Sequence, residues 1–290
     1  LIQRAMEGLQ KSREKFQALL EQAELGELSV QYDLALRYLE GDGVEADPVQ
    51  AVHWLSQAAE LGDLRAMETL ARSHVAVLGL GGVGSWCVEA LARSGVGQLT
   101  LVDCDEVSVS NLNRQLEATL ATVGMPKAQA MAERVAQVSP TCRVRPLNYR
   151  YTPQDREIFF QGGYDFIVDA IDTVSAKLDL IQTALERGIP IISALGTGNK
   201  LDPTQFQITD ISKTMNCPLA RVVRKELRSR GIDHHRVLWS AEEPLTPGDA
   251  GEAPPPGRRS VPGSVAWVPS CAGLMLAGDV VLQLIGRKSK

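Results

Sequence analysis

A glycine-rich turn between an apolar run and a helical pattern constrains this chain more than any other feature. Gly79, Gly81 and Gly84, with Gly82 between them, follow the run HVAVL that begins at His74 and precede SWCVEALARSG. This arrangement predicts a strand–loop–helix unit whose backbone N–H groups and helix N-terminus face a phosphate. The turn is therefore expected to bind a nucleotide, which could be NAD, FAD or ATP.

Short apolar runs alternate with helical patterns after this turn. QLTLVDC, RVRPLN, FIVDAI and IPIISAL are strand-like, and PKAQAMAERVAQVS and SAKLDLIQTALERG between them have helical periodicity. The alternation is typical of an α/β domain with a doubly wound, mostly parallel Rossmann-like sheet, to which we assign residues 74–290. Towards the end, VAWVP predicts a final strand before an apolar helix. The proline- and glycine-rich stretch 242–264 predicts a mobile loop.

Residues 1–73 have a different pattern, in which helices follow one another. AELGELSVQYDLA, beginning at Ala23, recurs 36 residues later as AELGDLRAMETLA, beginning at Ala59. Periods of this length are typical of stacked helix pairs, and the segment resembles the Sel-like relatives of tetratricopeptide repeats. A small all-α repeat segment is expected. It serves either as a surface for a protein partner or as an appendage without one, since only one complete repeat is present.

Composition and cysteine spacing argue against several classes of protein. The five cysteines are scattered and form no CxxC pair, so neither a disulfide framework nor a local zinc site is indicated. No apolar run approaches the roughly 20 residues that span a bilayer, and the N-terminal stretch lacks an apolar signal region. A cytoplasmic location without a membrane partner is predicted. The net charge of −5 argues against indiscriminate nucleic-acid binding but leaves room for a local basic patch.

Acidic and basic residues after the glycine turn narrow the choice of nucleotide. Asp103 lies 19 residues beyond Gly84 at the end of the second predicted strand, where an acidic side chain binds ribose hydroxyls. Alone, this spacing fits an NAD-dependent dehydrogenase. Further polar residues occur at predicted strand ends or helix starts: Asn111, Arg114, Gln115, Lys127, Asp169 and Asp172. Cations offset charge on a departing pyrophosphate and a carboxylate can hold Mg²⁺, so the set favours ATP.

The motifs GLGGVGS, DxDxVxxSNLNRQ, GxPKA and DAID resemble the ubiquitin-activating-type superfamily of adenylating enzymes, the ThiF and MoeB enzymes. The resemblance implies that a carboxylate attacks the α-phosphate of ATP, giving an acyl adenylate and pyrophosphate. It assigns catalysis to Arg114, Lys127 and Asp172, and Mg²⁺ binding to Asp172. It implies nucleotide contacts from Gly79, Gly81, Gly82, Gly84, Asp103, Asn111, Arg114, Gln115 and Lys127.

Two later segments indicate a branch of that superfamily. GTGNKLDPTQFQITDISKTMNCPLARVVRKELRSRGI and GSVAWVPSCAGLMLAGDVV resemble the tRNA threonylcarbamoyladenosine dehydratases, and the CxxC pairs usual in activators of sulfur-carrier proteins are missing from the sequence. The resemblance covers His74 to about Gly286 and implies a homodimer acting on tRNA with ATP and Mg²⁺. The substrate's own carboxylate would be adenylated and then displaced by a carbamoyl atom, closing an oxazolone ring. Where those dehydratases carry an Arg-containing segment before the glycine strand, this chain has the repeat-like helices.

A basic helix in the first of these segments is a candidate tRNA contact. Arg221, Arg224, Lys225 and Arg228 recur mostly at spacings of three or four, so a helix would align them in one stripe. Such a stripe could bind tRNA phosphates, but it is equally typical of a helix face that only contacts solvent. Cys217 is a candidate thioester nucleophile, but a lone cysteine without a base partner more often has no catalytic role.

Two other functions stay open from the sequence. The same chemistry could activate the C-terminal Gly-Gly tail of a small protein, which would make turnover indifferent to tRNA. Alternatively, replacement of the Arg-containing segment could leave a non-catalytic nucleotide-binding scaffold whose repeat recruits partners.

Overall fold

The computed structural model describes residues 2–25, 28–246 and 263–287. Contacts divide the chain into two units, residues 1–69 and 70–290, and the division falls near the end of a long helix. Residues 247–262, which make up most of the predicted mobile loop at 242–264, lie outside the described residues.

The first unit is built from helices α1, α2 and most of α3, which span Ile2–Glu24, Leu28–Glu40 and Pro48–Arg72. Phe16, Leu34 and Trp54 form its small core. In the turn between α2 and α3, Asp47 accepts hydrogen bonds from the N–H groups of residues 49 and 50 and so caps α3. α3 runs without a break through the second copy of the sequence repeat.

The second unit contains one seven-stranded sheet. Its strands are β1 (His74–Leu78), β2 (Gln98–Val102), β3 (Arg143–Leu147), β4 (Phe166–Asp169), β5 (Ile191–Ala194), β6 (Phe206–Asp210) and β7 (Arg236–Ser240). The strand order is β3-β2-β1-β4-β5-β7-β6, and all neighbouring pairs are parallel except β6 with β7. The order reverses at β1, which lies between β2 and β4. This is the point at which doubly wound sheets open a crevice for ligands.

Helices cover both faces of the sheet. They are α4 (Gly84–Arg93), α5 (Lys127–Val138), α6 (Arg156–Phe160), α7 (Val174–Glu186), α8 (Pro218–Ser229) and α9 (Trp267–Leu284). α9 is the one helix in the described ranges that is long and apolar enough to cross a membrane by length and composition. Its buried residues, including Val268, Leu276 and Val280, instead pack into the core beside the sheet. It therefore serves as a core helix of this unit.

The predicted α/β class with a doubly wound, mostly parallel sheet is confirmed. The predicted strand VAWVP is wrong, because α9 begins at Trp267 and contains that stretch from there on. Proline is tolerated in the first turn of a helix, so Pro269 is compatible with this start. Strands β6 and β7 were not predicted individually from the sequence.

Candidate active site

Two glycines bring the loop after β1 against the end of β4. Gly79 has a φ of +87°, and a Cβ there would come within 2.6 Å of the carbonyl oxygen of Ala170. A Cβ on Gly84 would overlap the carbonyl oxygen of Gly79. Only glycine fits both positions. The close approach places the first turn of α4 at the mouth of the crevice, where its N–H groups can face an anion.

Asp103 follows β2 and fastens the glycine loop from the other side. Its Oδ2 accepts the N–H of Leu80 at 2.6 Å, and its Oδ1 accepts the N–H of Asp105 at 2.8 Å. The half-buried carboxylate thus lies at the strand end where a ribose would be bound. Its contact with the loop orients the acid for that predicted role.

Lys127 is the first residue of α5 and is only 6% exposed. Its Nζ lies 3.3 Å from Oδ2 of Asp105, and its backbone N–H donates to the carbonyl of Asp105 at 2.9 Å. The carboxylate of Asp105 is itself well exposed. The ion pair is therefore long and solvated on its acidic side, which makes it a weak one.

The connection after β2 carries the other predicted phosphate contacts. Asn111 is buried in a short 3-10 turn, where its Oδ1 accepts the N–H of Ser108 at 3.0 Å. Arg114 donates from Nη1 to the carbonyl of Ser110 at 2.8 Å, and partial burial lowers the pKa of its guanidinium. Gln115 is buried beside the glycine loop, since a Cβ on Gly81 would lie 3.8 Å from its Nε2. All three residues lie in the same connection, and the side chains of Arg114 and Gln115 lie beside the glycine loop.

Asp172 is exposed in the connection between β4 and α7. The N-cap position of α7 belongs to Thr173, whose Oγ1 lies 3.4 Å from Oδ1 of Asp172. Asp172 is therefore one residue ahead of the N-cap position. An exposed carboxylate at the carboxyl end of a strand beside a phosphate site is a suitable ligand for Mg²⁺.

Beneath that connection lies a buried network of ionisable groups. The side chains of Asp169 and Lys177 are fully buried, with Nζ 2.7 Å from Oδ2. Lys177 also donates to the carbonyl of Ala194 at 3.1 Å, and Ser193 donates to Oδ2 of Asp169 at 2.6 Å. The Ser193 hydroxyl meets Nε2 of His235 at 2.8 Å. Burial, and after it the Lys177 ammonium, lower the pKa of His235 to about 3, so this imidazole is neutral.

The network holds the backbone that leads to the predicted metal ligand. Oδ1 of Asp169 accepts the N–H of Ile171 at 3.1 Å, one residue before Asp172. Asp169 therefore stabilises the backbone between β4 and α7 by a hydrogen bond to the main chain. The sequence motif placed both acids at one strand end, but only the structure separates a buried anchor from an exposed carboxylate.

Two residues near the crevice were not predicted from the motifs. Arg150 follows β3, and contact with the Cys104 side chain, together with the nearby carboxylates of Asp105 and Asp172, raises the pKa of its guanidinium. Its position after a strand end was the signal that could have indicated it. Glu117 lies buried near Lys127, and no spacing in the sequence points to it.

The predicted basic stripe lies on α8. Arg221, Lys225 and Arg228 are exposed, whereas Arg224 is half-buried and donates from Nη1 to the carbonyl and hydroxyl of Thr214, both at 2.6 Å. Three of the four cations are thus free to meet solvent or a polyanion. Arg224 also fastens the helix to the preceding turn.

Cys217 caps α8, because its Sγ accepts the N–H of Ala220 at 3.4 Å. The thiol is 4% exposed. This capping role fits an incidental cysteine better than a nucleophile, which must reach a substrate.

A doubly wound sheet with a glycine loop, an acid after β2 and cations at the switch point defines an α/β nucleotide-binding protein. The ThiF family matches residues 55–290, and the Sel1 repeat matches residues 28–63. The chain belongs to the ThiF family.

Individual proteins and a solved structure similar to this chain indicate a branch of the ThiF family. The tRNA threonylcarbamoyladenosine dehydratase of Bacillus subtilis (strain 168) is 48% identical over 227 residues, covering 76% of this chain and 89% of that protein. The protein of the same name from Escherichia coli (strain K12) is 44% identical over 171 residues, covering 59% of this chain and 64% of that protein. The crystal structure of the E. coli tRNA N6-threonylcarbamoyladenosine dehydratase in complex with ATP superposes with a TM-score of 0.69. It is 35% identical, and the match covers 77% of this chain and 89% of that one.

Proposed function

We propose that this chain dehydrates the threonylcarbamoyl group of threonylcarbamoyladenosine in tRNA, using ATP to adenylate the substrate carboxylate. The observation that carries the proposal is the 48% identity to a dehydratase of that name over 89% of its length. The crevice at β1, β2 and β4 supports it, because it brings a glycine loop, an acid and cations to one edge of the sheet. An E. coli relative of the same fold binds ATP.

Each side of the crevice has a part in the proposed reaction. The first turn of α4 and Asp103 position the nucleotide through its phosphates and ribose. A substrate carboxylate oxygen attacks the α-phosphate, and pyrophosphate leaves. Lys127 and Arg114 face the charge that builds up on the departing phosphates, with Asn111 and Gln115 beside them. A carbamoyl atom then displaces AMP from the adenylate, and holding both ends of one substrate group together favours ring closure.

Asp172 is the proposed ligand of Mg²⁺, which would supply positive charge against the phosphate oxygens. The exposed carboxylate at the carboxyl end of β4 fits a hard cation that takes oxygen ligands and keeps some of its water. The anchored connection around Asp169 keeps this carboxylate at the crevice.

The exposed cations of α8 are the proposed contact for tRNA. Arg221, Lys225 and Arg228 follow one face of the helix, and Cys217 at its start lies 3.5 Å from the position of a Cβ on Gly196, just beyond β5. The helix therefore begins at the carboxyl edge of the sheet, where the crevice lies. Phosphate contacts from this stripe would position the tRNA and make binding weaken with salt.

We also propose the broader organisation expected from the sequence. Residues 1–73 form the repeat segment, which recruits a protein partner, and residues 74–290 form the adenylating domain, which assembles as a homodimer. A cytoplasmic location fits the tRNA substrate and the scattered free cysteines.

The deciding experiment is mass spectrometry of nucleosides from threonylcarbamoyladenosine-bearing tRNA incubated with the protein and Mg·ATP. Loss of one water from that nucleoside is the expected result. Asp172→Asn should abolish it, and Asp233→Asn, an exposed aspartate before the amino end of β7, should not. Pyrophosphate release that needs a Gly-Gly-tailed protein instead of tRNA would favour the sulfur-carrier alternative. ATP binding without any release of pyrophosphate would favour a scaffold.

A further inference from the structure

Glu117, in the connection between β2 and α5, is a buried carboxyl group to which the proposed reaction gives no role. The residue is 3% exposed. Within the described part of the chain, neither of its carboxylate oxygens has a hydrogen-bond partner of normal geometry. Burying a carboxylate without a partner is costly, so its retention beside a ligand site calls for a physical explanation.

Glu117 differs from the other buried carboxylates of the described residues in its lack of a hydrogen-bonded basic partner. The described residues include five buried acidic side chains: Glu89, Glu117, Asp169, Asp179 and Asp279. All but Glu117 are hydrogen-bonded to a lysine or arginine. Glu117 therefore departs from the way this protein compensates buried acids.

The groups that influence the charge of Glu117 lie on its own connection, on α4, on α5 and at the end of β2. The backbone N–H of Glu117 itself favours the anion, followed by Lys127 on α5 and the hydroxyl of Ser85 on α4. That hydroxyl is already committed, because it donates to the carbonyl of Gly81 at 2.8 Å. Asp103 at the end of β2 favours the neutral acid. The charge of Glu117 in turn favours the charged form of the Arg114 guanidinium on the same connection. Burial outweighs the hydrogen bonds and the charge of Lys127 and raises the pKa of Glu117 to about 7.

We propose that Glu117 is a proton-linked positioning residue, which takes up a proton from solvent when the triphosphate of ATP binds against Lys127 and releases it when the nucleotide leaves. Bound phosphates add negative charge close to Glu117. They also compete for the ammonium of Lys127, the one positively charged side chain that favours the Glu117 anion among the described residues. Both effects favour the neutral acid. The carboxyl group makes no bond to substrate and leaves Lys127 free to contact phosphate.

This inference rests on the proposed ATP site, and its test needs no tRNA. Titration calorimetry with Mg·ATP at pH 7.5, in two buffers of different ionisation enthalpy, counts the protons taken up on binding. Protonation of ATP itself contributes equally for every variant. The wild type should take up about half a proton or more beyond Glu117→Gln, because a carboxyl of near-neutral pKa is largely ionised at this pH before the ligand binds.

The pH profile of ATP affinity gives a second readout. Between pH 6.5 and 8.5 the wild type should lose about three- to tenfold in affinity relative to Glu117→Gln, since one pKa unit of coupling corresponds to tenfold. Glu133→Gln, the same change at an exposed position of α5, should keep the wild-type profile. Glu117→Met, which also cannot titrate, replaces Glu117→Gln if that variant does not fold.

The possible failures are distinguishable. Equal proton uptake and equal pH profiles for the wild type and the Glu117 variants would overturn the inference while leaving the ATP site intact. Absence of ATP binding by the wild type at every pH would overturn the proposed function, and the inference with it.

Discussion

Two of the buried lysines, Lys127 and Lys177, have acidic partners of very different kinds. Lys177 is fully buried, lies 2.7 Å from Asp169 and donates also to a backbone carbonyl. Lys127 is buried to a similar degree, yet its partner Asp105 is exposed and 3.3 Å away, and its other acidic neighbour, Glu117, is a buried carboxyl of raised pKa. Both lysines lie on helices that pack against the same sheet. They differ in the acidic groups that contact them.

This difference in pairing indicates two kinds of buried charge: one that stabilises the surrounding backbone, and one that can still bind a ligand. A buried charge whose hydrogen-bonding capacity is filled from within the fold fixes the backbone around it, as the Asp169 network does for the connection to Asp172. A buried charge with weak partners keeps part of its interaction capacity for an anion that arrives later. The predictions below test this division through the free energy of unfolding, in order of decreasing effect.

Lys177→Met should have the largest effect, a loss of about 3–5 kcal/mol, because it leaves the buried carboxylate of Asp169 without its cation. Urea unfolding at pH 7 measures it. Lys213→Met, at an exposed position, should change the free energy of unfolding little. A loss for Lys177→Met no larger than that of the control would show that the network does not stabilise the fold.

Glu117→Gln should stabilise the protein at alkaline pH. Because the pKa of Glu117 is raised in the folded state, its penalty is small below the unfolded pKa near 4.5, grows as the pH rises to about 7 and is constant above. The variant should therefore gain roughly 2–3 kcal/mol on the wild type between pH 5 and pH 8. Urea titrations at both pH values, with Glu133→Gln as control, measure it. A pH-independent difference would argue against an ionising buried Glu117.

His235→Gln should flatten the acid side of the stability profile. The folded pKa of His235 is lowered to about 3, so its contribution is fully present above the unfolded pKa near 6.5 and is lost as the pH falls towards 3. Between pH 7 and pH 5 the wild type should lose about 2 kcal/mol more than the variant. Chemical unfolding across that range tests it, with the exposed His53→Gln expected to follow the wild type.

Lys127→Met should change the free energy of unfolding least, by no more than about 1 kcal/mol, because its ion pair with an exposed carboxylate is weak. Its effect on function should be large, with adenylation slowed about 100-fold through loss of charge stabilisation at the departing phosphates. Unfolding curves and pyrophosphate release measure the two effects. If Lys127→Met destabilises the protein as much as Lys177→Met does, Lys127 also holds the fold together and the proposed division between the two lysines is wrong.

Much of the fold follows from the sequence because its signals are local. The glycine turn requires a strand before it and a helix after it, and five β-rich runs placed β1 to β5. VAWVP misled because a β-branched and aromatic run is compatible with a strand when its neighbours are unknown, whereas Trp267 and Val268 are the first residues of α9. β6 and β7 depend on pairing with one another across a helix, so no local period marks them.

The sequence by itself determined the class of sheet, the nucleotide loop and the polar residues at the strand ends, since each depends on residues close together in the chain. Only the tertiary structure decided which acids are anchors and which face the crevice. The compensation of a buried charge depends on groups far apart in sequence, as when Ser193 and His235 complete the surroundings of Asp169. For Glu117, only the folded structure shows a buried carboxyl group whose oxygens have no hydrogen-bond partner among the described residues.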